Sequence, residues 1–382
     1  MGRRLFLTAS LALLPFAAPA SAAPTQSASW AAPAIRVVSA AGLMGGAKNV
    51  TAFRASDPLA AQDLENLVFD LKARLAPPPV EDPEPAPPPA TTTDPVTTTV
   101  TTTTTTTTAM TPATPRQVAD PDRPVQMWQL DARLVSALGL GDAAASFTKA
   151  ARAAGLTVPS RFGTEVVARL LGLRLNHPAA EDSLELRPQD TATRAEAAYS
   201  TAQILQLSDR QVPDVEEAAQ SFALPTLTDW QKRILDTAVS KIGMPYIWGG
   251  TSDDAETEFG VSSRGGYDCS GFVWRVYRLQ WYAGEGTLAS TLRGRTTYDM
   301  SGEVPKTQRL ALVDLQPADV IFFGDKGTRS KPTQVGHMGI YLGNGWFIHS
   351  SDDGVALATL TGWYAREFAW GRRPLAEAGL SS

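Results

Sequence analysis

The feature that most constrains the fold is a long stretch, residues 76–125, whose composition is unsuited to a hydrophobic core. It carries two proline triplets beside acidic residues, and its threonines run almost unbroken from Thr97 to Thr108. Proline-rich segments extend as polyproline II, and a polar tract has too few apolar side chains to bury. We therefore predict a disordered Pro/Thr-rich linker between two folded parts, either a plain spacer or an O-glycosylated one.

The first 22 residues have the pattern of a secretory signal peptide. Arg3 and Arg4 precede an apolar run over residues 5–18, and small residues at 20–22 provide a cleavage site. The arginine pair also suits twin-arginine export as an alternative route. No later stretch approaches about 18 consecutive apolar residues, so we expect a secreted protein of the cell wall or envelope without a membrane span.

The charge balance argues against one class of partner. The chain has 34 Lys and Arg against 39 Asp and Glu, and its formal net charge is −5. Nucleic-acid-binding domains need a basic footprint, so we expect no nucleic-acid partner. A cell-surface polymer or peptide fits an exported, mildly acidic chain better as a substrate.

Helices are predicted on both sides of the linker, in residues 23–75 and 126–225. Residues 53–59 align with residues 186–192, and each segment precedes an acidic pattern rich in alanine and leucine. These segments resemble S-layer homology repeats, which are helix–loop–helix units, and Thr193-Arg194-Ala195-Glu196 matches best. The resemblance implies attachment to a cell-wall polymer. Helical spacers without wall affinity are the alternative.

Cys269 is the only cysteine of the chain, so it cannot form an internal disulfide. Apolar residues such as Phe272 and Val276 follow it at helical spacing. We therefore place Cys269 at a helix N-terminus, where free N–H groups and the helix dipole stabilise a thiolate. With His337 and His349 downstream, it has the components for nucleophilic acyl transfer. A buried structural cysteine is the alternative.

The C-terminal region, residues 226–376, is predicted to mix helices and strands. A capping box at Thr228 begins a helix, and residues 315–323 are expected to form a turn that leads into a buried strand. The stretches 336–342 and 346–349 predict a hairpin that carries both histidines.

The turn of this hairpin decides whether the two histidines can interact. A two-residue turn at 344–345 would pair His349 with Ile340 and place His337 on the opposite face. A three-residue turn at 343–345 would pair His349 with Gly339 and place both imidazoles on one face, roughly 6–7 Å apart along the sheet. A relay requires one face, so we predict the three-residue turn.

In order and spacing, these motifs resemble the NlpC family of papain-like cysteine peptidases, which cleave stem peptides of bacterial peptidoglycan. The matching motifs, over about residues 229–372, are Pro245-Tyr246-Ile247-Trp248-Gly249-Gly250, Asp268-Cys269-Ser270-Gly271, Pro317-Ala318-Asp319, Gly336-His337-Met338-Gly339-Ile340-Tyr341 and Ile348-His349. Ala318 stands where the family usually has glycine. The resemblance implies an α+β fold in which a nucleophile-bearing helix packs on an antiparallel sheet, preceded by all-α segments and the linker.

The resemblance also implies roles for the catalytic residues. Cys269 would attack a peptide carbonyl, and His337 would take its proton and later protonate the leaving amine. His349 would orient His337 and fix its tautomer. The backbone N–H of Cys269 and the hydroxyl of Tyr246 would stabilise the oxyanion.

Four substrate-binding residues follow from the same resemblance: Tyr246, Trp248, Asp268 and Ser270. Asp268 suits a substrate ammonium group, and Trp248 would wall the cleft. The alternatives are core aromatics for Tyr246 and Trp248, a helix N-cap for Asp268 and a core histidine for His349. His177 is interpreted as a surface loop residue without a role.

The resulting hypothesis is a secreted D,L-endopeptidase that cuts peptidoglycan stem peptides between γ-D-glutamate and the diamino acid. We expect no cofactor, and no metal, because one Cys and two close His lack the usual zinc ligand set. Two alternatives remain: an amidase or acyl transferase of the same fold, and a non-catalytic wall-binding surface protein. Product analysis distinguishes the reactions, and intact Cys269, His337 and His349 argue against the non-catalytic alternative.

Overall fold

A computed structural model of the chain describes residues 28–45, 50–76 and 114–380. The predicted signal peptide, residues 1–22, and most of the predicted linker, residues 77–113, lie outside the described residues. The described chain forms a helical unit up to about residue 225 and a C-terminal unit of helices and strands. Among the described helices, none has the length and apolar character needed to cross a membrane.

The helical unit packs its helices around a core of alanine, leucine and phenylalanine side chains. Its α-helices are α1 (Ala32–Ala40), α2 (Val50–Phe53), α3 (Ala61–Leu75), α4 (Met127–Ala137), α5 (Gly141–Ala153), α6 (Phe162–Leu170), α7 (Arg194–Leu205) and α8 (Gln211–Ser221). A 3₁₀ helix, Ala179–Leu184, lies between α6 and α7.

Three short segments meet at the centre of the helical unit. The Leu59 N–H donates to the Ala192 carbonyl at 2.8 Å, the Val125 N–H donates to Leu59 at 2.9 Å, and the Ala192 N–H donates to Val125 at 2.8 Å. The bonds form a closed ring, and each segment leads into a helix two residues later, α3, α4 or α7. The unit therefore contains three similar segments, of which sequence comparison aligned only two. The resemblance to S-layer homology repeats remains a prediction.

The linker differs from its prediction in length and in placement. Residues 114–125 are described, and they pack on the start of α3: Gln62 Nε2 donates to the Arg116 carbonyl at 3.0 Å, and the Val118 N–H donates to Gln62 Oε1 at 3.2 Å. The prediction that disorder extends to residue 125 was wrong. Val125 is buried in the core, although its neighbours in sequence are prolines and charged residues. Since α3 ends at Leu75 and residues 114–125 pack on its start, the described residues on both sides of the predicted linker belong to the same unit.

The C-terminal unit mixes short helices with strands. Its α-helices are α9 (Asp229–Ser240), α10 (Cys269–Trp274), α11 (Thr297–Gly302), α12 (Gly362–Glu367) and α13 (Pro374–Glu377). Its strands are β1 (Thr251–Ser252), β2 (Glu256–Glu258), β3 (Val261–Ser263), β4 (Gly266–Tyr267), β5 (Val320–Gly324), β6 (Val335–Gly343), β7 (Trp346–Ser351), β8 (Gly354–Thr359) and β9 (Phe368–Arg372).

Five of these strands form one antiparallel sheet in the order β8-β7-β6-β5-β9. α10 packs against β6 and β7 and continues beyond Trp274 as a π-helical turn, Arg275–Leu279. The helix predicted after Cys269, the capping box at Thr228 and the hairpin strands are confirmed. The fold is a mixed α+β arrangement with a helical N-terminal part.

The hairpin turn is shorter than predicted. Asn344 and Gly345 form a two-residue turn with positive φ angles of 50° and 80°. A bulge at Leu342 then shifts the pairing between β6 and β7 by one residue. His349 thereby lies opposite Gly339, so the register at the histidines is the one predicted, although the extra residue lies in the strand and not in the turn.

The two units share one hydrophobic core. Trp346 of β7 contacts Phe147 and Phe222 of the helical unit, with ring centroids 5.9 and 5.0 Å apart. Arg169 of α6 is 6% exposed, and its guanidinium donates to the backbone carbonyls of Gly243 and Asp353 in the C-terminal unit. The helical unit therefore docks directly on the C-terminal unit.

Candidate active site

Cys269 is the first residue of α10 and lines a cleft. Asp268 caps the helix, because its carboxylate accepts the Gly271 N–H. Cys269 is 8% exposed, and the Thr297 side chain and the backbone of Met338 and Ser270 favour the ionised form of its thiol, although burial outweighs them. Met338 follows His337, so the thiol lies beside the strand that carries the histidine.

His337 on β6 and His349 on β7 are hydrogen-bonded to each other. His337 Nε2 lies 2.8 Å from His349 Nδ1. A methyl group at Gly339 would lie 3.1 Å from the His349 Cβ and 2.9 Å from the Ile348 carbonyl oxygen, so glycine is needed for this close approach. This hydrogen bond engages Nε2 of His337 and leaves Nδ1 outside it.

Burial determines the protonation state of the Cys269–His337 pair. Burial, with a further contribution from the charge of Asp268, raises the pKa of the Cys269 thiol to about 12. Burial also lowers the pKa of His337 to about 4. Near neutral pH the ligand-free site therefore holds a thiol and a neutral imidazole.

This state differs from the thiolate that the sequence analysis predicted. A helix N-terminus contributes about 0.3–2 kcal/mol to stabilising a negative charge. Raising the pKa of the thiol from 9.0 to about 12 corresponds to roughly 4 kcal/mol. Burial therefore outweighs the effect of the helix terminus.

Tyr246 and Trp248 line the same cleft as Cys269. Burial, followed by the charges of Cys269 and Asp268, raises the pKa of Tyr246 well above its ordinary value of 10.0. The hydroxyl therefore stays protonated and is able to donate to an oxyanion. Trp248 is 56% exposed, so it is a wall of the cleft and not a core aromatic.

Sequence reasoning missed Arg295, which joins Asp268 and Ser270 in one network. Arg295 Nη1 donates to Ser270 Oγ at 2.7 Å, and Ser270 Oγ donates to Asp268 Oδ1 at 2.8 Å. Arg295 Nη2 donates to the Gly249 carbonyl at 2.7 Å and lies 3.4 Å from Asp268 Oδ2. The Asp268 carboxylate is thus engaged within the protein. The Arg295 cation, which also lines the cleft, suits a ligand carboxylate.

The helical unit supports one rim of the cleft. The carboxylate of Asp182, in the 3₁₀ helix, accepts the Trp248 N–H at 3.3 Å. Arg187 Nη1 donates to the Asp253 carbonyl at 3.0 Å, and the 3₁₀ helix packs on β3. These contacts link the helical unit to the segment that carries Trp248.

His177 does not lie on the surface, and that prediction was wrong. Its side chain is 2% exposed, and its ring packs edge-on against Trp30 with centroids 4.6 Å apart. Trp30 is distant in sequence, so the local pattern around His177 contains no signal for this burial.

The cleft has two lobes that meet at Gly336. The thiol lobe, of about 330 Å³, is lined by residues that include Cys269, Tyr246, Trp248, Asp268 and Arg295. The histidine lobe, of about 420 Å³, is lined by residues that include His337, Phe323, Asp325, Trp363 and Glu367. Gly336 lines both lobes. Within residues 28–45, 50–76 and 114–380, no group of three or more His, Cys, Asp or Glu side chains is placed to hold a metal ion.

Comparison with known proteins finds similarity in the C-terminal unit. Residues 243–373 match the model of the NlpC/P60 family. The probable peptidoglycan endopeptidase LytE of Bacillus subtilis is 33% identical over 132 residues, which are 35% of this chain and 30% of that protein. The peptidoglycan endopeptidase RipA of Mycobacterium tuberculosis is 29% identical over 157 residues, which are 40% of this chain and 29% of that protein.

A third relative is the gamma-D-glutamyl-L-lysine dipeptidyl-peptidase of Bacillus cereus, 33% identical over 149 residues, which are 37% of this chain and 36% of that protein. The chain thus spans about a third of the length of these three relatives. The helical unit lies outside the region that matches the family model. At its C-terminal end the chain therefore carries an NlpC/P60 domain, and the relatives of that domain include peptidoglycan endopeptidases.

Proposed function

We propose that the protein is a secreted peptidoglycan hydrolase, a cysteine endopeptidase that cleaves stem peptides between γ-D-glutamate and the diamino acid. The observation that carries the proposal is the placement of Cys269 at a helix start beside the strand of a hydrogen-bonded His337–His349 pair. The activities named for the relatives support peptidoglycan as the substrate. The signal-peptide pattern of residues 1–22 supports export.

In the proposed mechanism, the nucleophile forms during the attack. As Cys269 Sγ attacks the γ-carbonyl carbon, its proton passes to Nδ1 of His337, because the pair is neutral at rest. The Cys269 N–H, at the helix start, and the Tyr246 hydroxyl stabilise the oxyanion. His337, oriented by His349, then protonates the leaving amine, and water hydrolyses the thioester with His337 as the base.

In this proposal, Arg295 binds the residue on the acyl side of the scissile bond, which is D-glutamate. A γ-linked D-glutamate keeps its α-carboxylate free, so the residue on the acyl side carries a negative charge. Arg295 lines the thiol lobe, and Ser270 and the Gly249 carbonyl hold its guanidinium in place. Beside the carboxylates of Glu258 and Asp268, this guanidinium is the positively charged group in the lining of the lobe, and we assign it to the free D-glutamate carboxylate.

The test is incubation of the mature protein and of a Cys269→Ala variant with purified peptidoglycan, followed by mass spectrometry of released fragments. We expect the wild type alone to release fragments that end in γ-D-glutamate. Fragments cut between the sugar and the first alanine would support an amidase instead. Intact walls after treatment with folded wild-type protein would overturn the proposal.

We further propose that the helical unit attaches the enzyme to a cell-wall polymer. The closed ring of three similar segments supports this proposal, as does a groove of about 220 Å³ lined by α3 and α4 residues that include Trp128 and Arg133. Cosedimentation of the Cys269→Ala protein with purified walls tests it. We expect Trp128→Ala to weaken binding and Trp281→Ala, which changes a 72% exposed indole of the C-terminal unit, to leave it unaltered. Equal binding by both variants would contradict a role for this groove.

A further inference from the structure

Under the proposed mechanism, the two lobes hold opposite sides of the scissile bond. In acyl transfer, the histidine that accepts the proton of the nucleophile later donates a proton to the leaving amine, so the leaving group lies beside that histidine. His337 lines the histidine lobe, whereas Cys269 and Tyr246 line the thiol lobe. The leaving residue, which is the diamino acid in the proposed function, therefore occupies the histidine lobe.

Aromatic rings form one side of the histidine lobe. The His337 and Phe323 rings stack at 5.7 Å between centroids with an interplanar angle of 27°. Phe323 in turn stacks on Trp363 at 6.4 Å and 29°. Trp363 is 48% exposed, so much of its indole is open to a ligand in the lobe.

Two carboxylates complete the lobe. Asp325 directly follows β5 and Glu367 directly precedes β9, and these strands are neighbours that pair Phe323 with Phe368. The pairing brings both carboxylates to the same end of the sheet, where both line the lobe. Asp325 is exposed and Glu367 is half-buried. Among the described residues neither side chain has an ion-pair or hydrogen-bond partner, and the lining of the lobe contains no Lys or Arg.

We propose that the histidine lobe binds the free side-chain ammonium of the leaving diamino acid, so that the enzyme selects stem peptides that are not cross-linked. This inference rests on the proposed function. A free ammonium would pair with Asp325 and Glu367 and would contact the Trp363 ring as a cation. A cross-link acylates that amine, which removes the charge and leaves both carboxylates without a partner.

The test compares two matched peptides, L-Ala-γ-D-Glu-L-Lys and the same peptide acetylated on the lysine side chain. We expect kcat/KM to be about five to ten times higher for the free amine, as two partly exposed ion pairs allow. The double variant Asp325→Asn/Glu367→Gln should bring this ratio close to one, whereas Glu216→Gln, on α8, should leave it unaltered. Added salt should lower the ratio for the wild type, because it screens the attraction.

Each outcome has a distinct meaning. Cleavage of both peptides at equal rates by the wild type would overturn the inference and leave the proposed function intact. The inference would also be overturned by an unaltered kcat/KM ratio in a double variant that retains wild-type thermal unfolding. That result would show that other groups bind the amine. Cleavage of neither peptide, by a preparation that also leaves peptidoglycan intact, would overturn the proposed function and the inference with it.

Discussion

At the scale of single residues, burial alters the pKa values of Cys269, His337 and His349. It raises the pKa of Cys269 and lowers that of His337, so the charged pair is disfavoured in the ligand-free protein. Burial, followed by the charge of neighbouring His337, also lowers the pKa of His349. In the proposed mechanism, proton transfer therefore accompanies the attack on the substrate.

This state predicts how the thiol reacts with small reagents. We expect alkylation of Cys269 by iodoacetamide to accelerate about tenfold per pH unit between about pH 6 and 9, because the thiolate fraction rises steadily below a pKa of about 12. Cys269 is the only cysteine, so the mass of the intact protein reports the reaction. A rate that stays constant over this range would indicate a thiolate–imidazolium pair and contradict the neutral one.

Buried carboxyl groups in the helical unit predict a pH dependence of stability. Burial raises the pKa of Glu185 to about 8 and that of Glu165 to about 7, from an ordinary value of 4.5 that applies to the unfolded chain. The folded protein therefore keeps protons that the unfolded chain loses above about pH 4.5. The contribution of these two carboxyl groups to the free energy of unfolding is therefore complete below about pH 4.5 and is lost as the pH rises through 7 to 8.

We expect the urea midpoint of unfolding to fall between about pH 5.5 and 8.5. Glu185→Gln, which is neutral throughout, should show a smaller fall, and Glu217→Gln on α8 serves as the control. If the urea midpoint of Glu185→Gln depended on pH as strongly as that of the wild type, Glu185 would be ruled out as a cause of the fall.

At the scale of elements, the β6–β7 hairpin sets the geometry of the histidine pair. Gly339 allows the two strands to place His337 and His349 at hydrogen-bond distance. The bulge at Leu342 supplies the one-residue shift that places Gly339 opposite His349. The pair thus depends on backbone features several residues away from either imidazole.

Gly339→Ala should disturb this arrangement. The new methyl group would lie 2.9 Å from the Ile348 carbonyl oxygen, and relief of that contact must move β7 and with it His349. We expect a loss of about 1–3 kcal/mol in the free energy of unfolding and a lower kcat with little change in KM. Gly141→Ala, where the methyl group has no atom within 4 Å, is the matched control. Wild-type kcat in Gly339→Ala would show that the close approach is unnecessary.

The elements that sequence patterns predicted correctly are those with local signals. The Thr228 capping box, the helix that starts at Cys269 and the strands of the β6–β7 hairpin each depend on residues within a few positions. The bulge at Leu342 depends on how two strands pair, and Arg295 reaches Ser270 from a loop 25 positions later. Val125 was assigned to the linker because its neighbours are polar, whereas its burial depends on segments around Leu59 and Ala192.

At the scale of the whole molecule, the helical and C-terminal units behave as one packed body. Their aromatic contacts around Trp346 are reinforced by Arg169, which donates to carbonyls across the boundary and lies 3.6 Å from Glu165. Asp182 adds a contact to the cleft rim at Trp248. The cleft at Cys269 therefore depends on the helical unit for part of its support.

Removal of the Arg169 charge should destabilise both units together. We expect Arg169→Met to lower the free energy of unfolding by about 3–5 kcal/mol, because it leaves buried Glu165 and two carbonyls without their partner. Urea unfolding followed by fluorescence and circular dichroism should show one transition in both proteins. Arg210→Met, which breaks an exposed pair with Asp214, should cost about 1 kcal/mol or less. Two separate transitions in the wild type would contradict a shared core.

The path of the chain through the helical unit also determines what a break in the backbone would do. Helix α3 ends at Leu75, and Arg116 and Val118, after residues 77–113 in sequence, bond to Gln62 at the start of the same helix. A protease site inserted within residues 77–113 should therefore yield two polypeptides that elute together and separate only in denaturant. Halving the number of residues between α3 and residue 114 should change the entropic free-energy cost of joining these two points by only about 0.6 kcal/mol. Cleavage there would convert the molecule into a two-chain protein, with α1, α2 and α3 retained as a non-covalent subunit, and would not release a free C-terminal unit.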